Sequence, residues 1–214
     1  VDRLCPIIER RHIDEDNVPY NKTVLNTTGT GTGPAQLERV KRTADLKFAR
    51  DVDSLRPYLT DVGERLNDVI ERGEKVLGEG TQGTFISNYG FEFGDDMTYP
   101  KGVTTKDTTA GTLCADIGIG PTAVESVVVV FKSIASKVGN GPFPKEITDP
   151  ERLRHIEEDG QQEYGTVTGR KRRMGDFDYD RARIAMQRNG GTTVALTKLD
   201  ALFPEIRGQK FYNS

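Results

Sequence analysis

Residues 126–134, SVVVVFKSI, constrain the fold of this chain more than any other stretch. Side chains branched at Cβ lose little freedom in extended backbone and pack well on a pleated surface, so the run reads as a buried strand. A second strand is expected at TTVALTKLD (192–200), ending in polar residues. A short one is expected at KVLGEGTQGT (75–84), running into a glycine loop. Helices are expected between and around them. AQLERVKRTADLKFARDV (35–52) is basic and follows Pro34, a residue favoured in a first helical turn. In 54–72, Leu55, Leu59, Val62, Leu66, Val69 and Ile70 recur at three-to-four spacing. TTAGTLCADIG, PERLRHIEEDGQQ and YDRARIAMQRNG supply three more, the last closed by Asn-Gly. Residues 1–24 are mixed and irregular. Strands alternating with helices imply an α/β fold, with a mostly parallel central sheet flanked by helices. Ligands of such sheets bind beyond the carboxyl ends of the strands, where EGTQG and TKLD fall.

The 214 residues suit a single domain, 1–214. Hydrophobic residues make up 35%, below the roughly 45–50% of globular domains even allowing that glycine is counted in that figure, and there are 23 glycines. The core is therefore expected to be thin, or shared with a partner or further chain. A net charge of −3 argues against general nucleic-acid binding. The longest apolar run, VESVVVVF, is far short of the roughly 20 residues of a membrane helix. Neither nucleic acid nor membrane is an expected partner, and the cytoplasm is the expected location. Cys5 and Cys114 are far apart without metal spacing and read as free thiols in a reducing compartment. His12 and His155 have no nucleophile partner at recognisable spacing, and Asp95-Asp96 reads as a loop pair. No metal site is expected in the chain. Val1 opens it without a Met, as in a processed or excised segment.

Several short stretches could carry chemistry. TTGTGTGPA (27–35) leads glycine backbone into a helix N-terminus, which suits an anion or serves as a plain turn. It is no Walker A loop. EGTQGT places the Gln82 amide, donor and acceptor at once, between glycines. SNYGFEFGDDMTYPKGVTTKD (87–107) is long, polar and broken. EYGTVTGRKRRMGDFD (163–178) packs Arg170, Lys171, Arg172 and Arg173 behind a glycine. Arginine forks match carboxylates and phosphates, and mutual repulsion in such a run would be relieved by an anion. In TKLD a carboxylate at Asp200 could accept from the ring N–H and exocyclic amine of guanine, which adenine does not offer.

Taken in order, TTGTGTGPA, EGTQGT, TYPKGVTTKDTTAG, GIGP, GNGPFPKE, EYGTVTGRKRRMGDFD and ALTKLD resemble the adenylosuccinate synthetase family over nearly the whole chain. The compact spacing is similar to its short archaeal and phage-type branch. The resemblance implies a P-loop-like nucleotide ligase fold. It also implies a reaction: GTP phosphorylates the 6-oxygen of IMP, and aspartate displaces the phosphate to give adenylosuccinate, GDP and phosphate. Phosphoryl transfer of this kind rests on positioning and charge stabilisation. Mg²⁺ is the implied cofactor, its ligands outside this stretch. By the same resemblance, Thr28, Arg42, Gln82, Thr104 and Arg170 contact IMP, with Arg42 reaching across a homodimer and Gln82 beside the reacting oxygen. Thr166, Val167, Thr168, Gly169, Arg170 and Arg172 form the loop that closes on aspartate and shuts out water. Arg172, Lys198, Leu199 and Asp200 bind GTP.

Departures from the family pattern are expected to matter. The N-terminal phosphate loop with its catalytic Asp, the His that follows it, and the C-terminal part are absent. Val167 stands where many members have Thr, and Thr30 where Arg is usual. The chain resembles an internal segment, expected to be inert alone. Two other functions stay open: a phage-type homologue that uses dGMP to make a succino-2-aminodeoxyadenylate, and an inactive nucleotide-binding scaffold.

Overall fold

The computed structural model describes residues 1–89, 99–165 and 169–209. They form two compact units, Val1–Glu125 with Gly139–Gly141, and Ser126–Val138 with Pro142–Ser214.

The first unit carries α1 (Arg10–Asp16), α2 (Thr32–Lys41), α3 (Val62–Glu71) and α4 (Ala110–Ile117). Helix α1 lies within the stretch expected to be irregular. It packs against α2, and the core around them includes Ala35, Leu46, Ala49 and the polar His12 and Asp16. The helix expected over 35–52 stops early: Arg42 turns left-handed at φ 58°, and its N–H bonds to Arg39 O. Beyond it the chain runs extended beside the N-terminus, with Ile7 N bonded to Lys47 O and Ala49 N to Cys5 O. The helix expected over 54–72 is also shorter. Asp53–Tyr58 is a 3-10 turn holding Pro57, which cannot donate inside an α-helix. The α-helix begins only after Asp61, whose carboxylate accepts from Glu64 N.

No strand forms over 75–83 among the described residues. Leu77 is 94% exposed, so the apolar pair Val76-Leu77 finds no surface on which to pair. One glycine contact is demanding. Gly118, at φ 77°, closes α4, and a Cβ there would lie 2.9 Å from Gly63 Cα at the start of α3. Asn67 Nδ2 bridges the two turns by donating to Gly63 O and Gly118 O. The motif GIGP is thus a helix–helix junction.

The second unit carries β1 (Val128–Lys132), β2 (Ile134–Lys137), α5 (Pro150–Glu158), β3 (Arg173–Asp176), α6 (Tyr179–Asn189) and β4 (Thr193–Thr197). The class is α/β. Strands β1 and β4 pair in parallel, Val128 opposite Thr193 through Lys132 opposite Thr197. Strands β2 and β3 pair antiparallel, Ile134 opposite Asp176. Helix α6 is capped by Asp178, whose carboxylate accepts from Arg181 N, and ends at Gly190 in the left-handed region. It packs on β1, and a Cβ on Gly191 would collide with Met186 and Val129.

The valine run forms the expected strand but not the expected burial. Val128, Val130, Val194 and Leu196 stay largely exposed, because two paired strands cannot cover both of their own faces. The apolar centre of this unit lies on the other ribbon, at Ile134, Ile147 and Met174, flanked by Leu153, Ile156 and Ala201. Cys5 is exposed, Cys114 is buried, and both are unpaired. Among the described residues no helix is long and apolar enough to cross a membrane.

Met174 is only 1% exposed at the heart of that cluster. Met174→Ala is expected to lower stability by about 2–5 kcal/mol, read as a shift in the urea midpoint at unchanged slope.

Candidate active site

In the first unit the glycine loop is held from α1. Asp16 Oδ2 accepts from Gly31 N at 2.9 Å, and Asn17 Nδ2 donates to Gly29 O at 2.9 Å and to Ile13 O. Gly31 sits at φ 83°, where a Cβ would lie 2.9 Å from Ile13 N. One of the loop's backbone donors is therefore already spent on Asp16. What the loop presents instead is a row of hydroxyls: Thr28 Oγ1 lies 3.2 Å from Thr30 Oγ1, which lies 3.2 Å from Thr32 Oγ1.

Other glycine motifs adjoin this loop. A Cβ on Gly33 would lie 3.1 Å from Thr105 Cγ2, and one on Gly141 of GNGP would lie 2.8 Å from Gly102 Cα. Asn140 Nδ2 donates to Thr23 O and Val24 O. Gln82, left-handed at φ 72°, donates from Nε2 to Thr104 Oγ1 at 3.1 Å. Thr108 Oγ1 donates to Gly83 O at 2.7 Å. A cavity of about 130 Å³ opens beside these turns, lined among others by Glu79, Thr81, Lys106, Asp107 and Thr112.

Asp107 organises this corner. Its carboxylate accepts from Ser87 Oγ at 2.7 Å, from Thr109 Oγ1 at 2.5 Å and from the Thr112 hydroxyl. Burial pushes its pKa up, but the bonds from Thr109, Thr112 and Ser87 outweigh that and bring it down to about 2. Ser87 is fully buried, and Thr104 N bonds to Ile86 O, so the turn carrying Thr104 is tied to the same corner. Arg42 stands apart. It closes α2 at the end opposite Thr32, about 15 Å away at roughly 1.5 Å per residue. Its side chain is exposed and has no ion pair among the described residues. His12 is buried, its Nδ1 accepting from Glu9 N at 2.9 Å and its Nε2 lying 3.1 Å from Glu38 Oε2 in poor alignment.

In the second unit the cationic stretch is one leg of a narrow hairpin. Arg172 N bonds to Glu163 O, Tyr164 and Lys171 form an antiparallel bridge, and Gly165 N bonds to Arg170 O. Gly169 turns at φ 64°, its N bonded to Gly165 O. Thr166, Val167 and Thr168 lie outside the described residues. The cations are paired within the fold: Lys171 with Glu157 at 2.7 Å, Arg172 with Glu163 at 3.2 Å, Arg173 with Glu146 through two bonds. The run needs no ligand to offset its repulsion.

Glu163 is the hub. Its Oε2 accepts from Lys132 Nζ at 2.7 Å and from Ser136 Oγ at 2.6 Å, and its Oε1 from Lys198 Nζ at 3.1 Å. Burial pushes its pKa up, and the bonds from Lys132, Ser136 and Lys198 bring it down to about 2. Lys198 follows β4 at φ 57°, its carbonyl taken by the Ser133 hydroxyl and its Nζ also bonded to Gln161 O at 2.8 Å. Leu199 opens the next turn, and Asp200 Oδ2 accepts from Arg207 Nε at 3.3 Å.

The structure thus joins Gln82 to Thr104 and brings the Thr28 loop against the Thr104 turn. It joins Arg172 to Lys198 through Glu163. It sets Arg42 away from the first group. Asp16, Asp107 and Glu163 are missing from the sequence reading. Asp107 and Glu163 stand in quoted motifs, where a carboxylate among hydroxyls or cations was the available signal.

Comparison with known proteins follows these motifs. A sequence model of adenylosuccinate synthetase matches residues 46–212. The adenylosuccinate synthetase of Methanocaldococcus jannaschii is 48% identical over 214 residues, 100% of this chain and 58% of that protein. That of Thermococcus onnurineus is 49% identical over 203 residues, 94% of this chain and 56% of that protein. Fully ligated adenylosuccinate synthetase from Plasmodium falciparum superposes with a TM-score of 0.81 at 26% identity, covering 94% of this chain and 55% of that one. Cyanophage S-2L succinoaminodeoxyadenylate synthetase, bound to dGMP and to dATP as an energy donor, shares the fold at a TM-score of 0.72 and 24% identity, covering 96% and 61%. The chain spans a little over half the length of the curated relatives it matches.

Asp107 has a folded pKa below its ordinary 3.8, so its stabilising contribution is present above that value and is lost as pH falls toward about 2. Asp107→Asn is expected to be less stable at neutral pH and to lose stability less steeply on acidification through that window. Urea midpoints measured at a series of pH values check this.

Proposed function

This chain belongs to the adenylosuccinate synthetase family, and on that premise we propose that the protein joins IMP to aspartate, cleaving GTP to GDP and phosphate and yielding adenylosuccinate. The observation that carries the reading is the bond from Gln82 to Thr104, 3.1 Å long. Two residues from separate glycine motifs meet there, in the unit that also holds the Thr28–Thr30–Thr32 hydroxyls.

In this reading the hydroxyls of Thr28 and Thr104 donate to the phosphate of IMP. The Gln82 amide, held by Thr104, sits beside the purine 6-oxygen that accepts the phosphoryl group. Arg170 and Arg172 neutralise the aspartate carboxylates, with Thr166, Val167, Thr168 and Gly169 closing over them. Such closure excludes water from an intermediate that water would hydrolyse. Asp200 reads guanine by accepting from its ring N–H and its exocyclic amine. Its carboxylate is held by Arg207 Nε at 3.3 Å. Leu199 and the stem of Lys198 lie against the base. Arg42 is exposed at the far end of α2 from its own Thr28 loop, which supports a homodimer in which it serves the partner's IMP.

Both units would act as one catalytic domain, 1–214, in the cytoplasm. Mg²⁺ would neutralise charge on the transferred phosphoryl group. Among the described residues no group of three His, Cys, Asp or Glu is disposed to hold a metal.

Phosphate release by the full-length protein with GTP, IMP and aspartate tests the proposal. Turnover with IMP is expected, and turnover with dGMP alone in its place would move the assignment to the deoxyguanylate reaction. Asp200→Asn is expected to lower kcat/KM for GTP by about tenfold to a hundredfold, the loss of a charged acceptor to two donors. Unchanged preference for GTP over ATP in that variant would remove the guanine-reading role.

A further inference from the structure

The TKLD lysine and the hairpin arginine end on the same carboxylate. Glu163 is 20% exposed and takes donors from four places: the end of β1 at Lys132, β2 at Ser136, the hairpin's returning leg at Arg172, and the turn after β4 at Lys198. Three cations face one carboxylate. A lysine stem has four carbons and wanders unless its ammonium is held. Here two of the ammonium's three hydrogens are directed, to Gln161 O and Glu163 Oε1.

Arg172 is held differently. Its N–H bonds to Glu163 O and its carbonyl accepts from Gln162 Nε2, so its backbone is fixed and only its side chain can swing. Of its five N–H groups, Nη1 reaches Glu163 and Nε is buried without a partner among the described residues. That leaves the guanidinium tethered at one corner, with donors to spare for an incoming anion.

We propose that Glu163 is a positioning residue for the nucleoside triphosphate: it aims Lys198 and tethers Arg172, so that the end of β4 and the hairpin are set together. The proposal rests on the family reaction given above. It adds a residue that makes no contact with substrate. Without Glu163, two cations brought close on separate elements would repel, and Lys198 would lose its aim before the nucleotide arrives.

The experiment is steady-state kinetics on the full-length protein with Glu163→Gln, Lys198→Ala and the double variant. Glu163→Gln is expected to raise the GTP KM about tenfold, the scale of a lost hydrogen bond to a charged group, with the IMP KM within about twofold. In the Lys198→Ala background the same change is expected to raise the GTP KM by less than about threefold, since only the Arg172 tether is then left to lose. Lys132→Met is the folding control. It strips a donor from the same carboxylate but leaves Lys198 and Arg172, so it should lower the melting temperature and leave the GTP KM within about twofold. A wild-type GTP KM in Glu163→Gln, an equal rise in all three KM values, or full additivity with Lys198→Ala would overturn the proposal. A wild-type protein that releases no phosphate with IMP fails the underlying reaction and takes the proposal with it. An active wild type beside an unaffected Glu163→Gln fails the proposal alone.

Discussion

A carboxylate withdrawn from water must be met by donors, or its burial costs several kcal/mol. Asp16, Asp107 and Glu163 meet this demand in three different ways, and the loops of the chain take their shapes from it. Asp16 takes a backbone N–H and fixes the left-handed Gly31. Asp107 takes hydroxyls from Ser87, Thr109 and Thr112. Glu163 takes two ammonium groups, a hydroxyl and a guanidinium. With 35% hydrophobic residues and an apolar cluster in the second unit centred on Ile134, Ile147 and Met174, packing alone has little with which to hold glycine-rich turns. Satisfied carboxylates do it instead. Directional bonds of this kind fix geometry more narrowly than apolar contact does.

The cationic stretch shows what that costs and gains. As an isolated tetrapeptide, Arg170 to Arg173 would repel itself. In a hairpin, successive side chains leave opposite faces, and the stretch meets Glu157, Glu163 and Glu146 one after another. These bonds are not equivalent. The exposed Lys171–Glu157 pair contributes little, since water screens it. The Glu163 pairing lies deeper and is shared. Any anion arriving at the hairpin would therefore compete with protein glutamates rather than enter an empty positive field. Such competition weakens binding but sharpens selection for an anion with the right spacing.

Local physics was legible in the sequence and remote pairing was not. The branched run at 128–132, the helices within PERLRHIEEDGQQ and YDRARIAMQRNG, and the stop at Gly190 each follow from a few neighbouring residues. The α/β class and the glycine motifs could be read for the same reason. The early end of α2 could not, because nothing in TADLKF announces that the chain must run back beside Cys5 and Ile7. The missing strand at 75–83 failed likewise: a strand is a property of two segments, and Val76-Leu77 has no strand partner among the described residues. Glu163 was visible as a residue but not as a hub, because Lys132, Ser136 and Lys198 stand 27 to 35 positions away.

Backbone strain offers an independent pointer to the same positions. Five non-glycine residues adopt positive φ among those described: Asn26, Arg42, Gln82, Lys145 and Lys198. A left-handed residue with a long side chain costs on the order of 1–2 kcal/mol, and asparagine tolerates it best. Glycine would carry no such cost at Arg42, Gln82 or Lys198, so each of these side chains is present at the expense of local backbone strain. Arg42 ends a helix where glycine is the ordinary choice. Gln82 stands between glycines that would each accept the turn more cheaply. Lys198 leaves β4 at a bend that throws its ammonium onto Glu163. The fold holds a polar group in a strained turn at three of the residues that the family resemblance assigns to nucleotide binding.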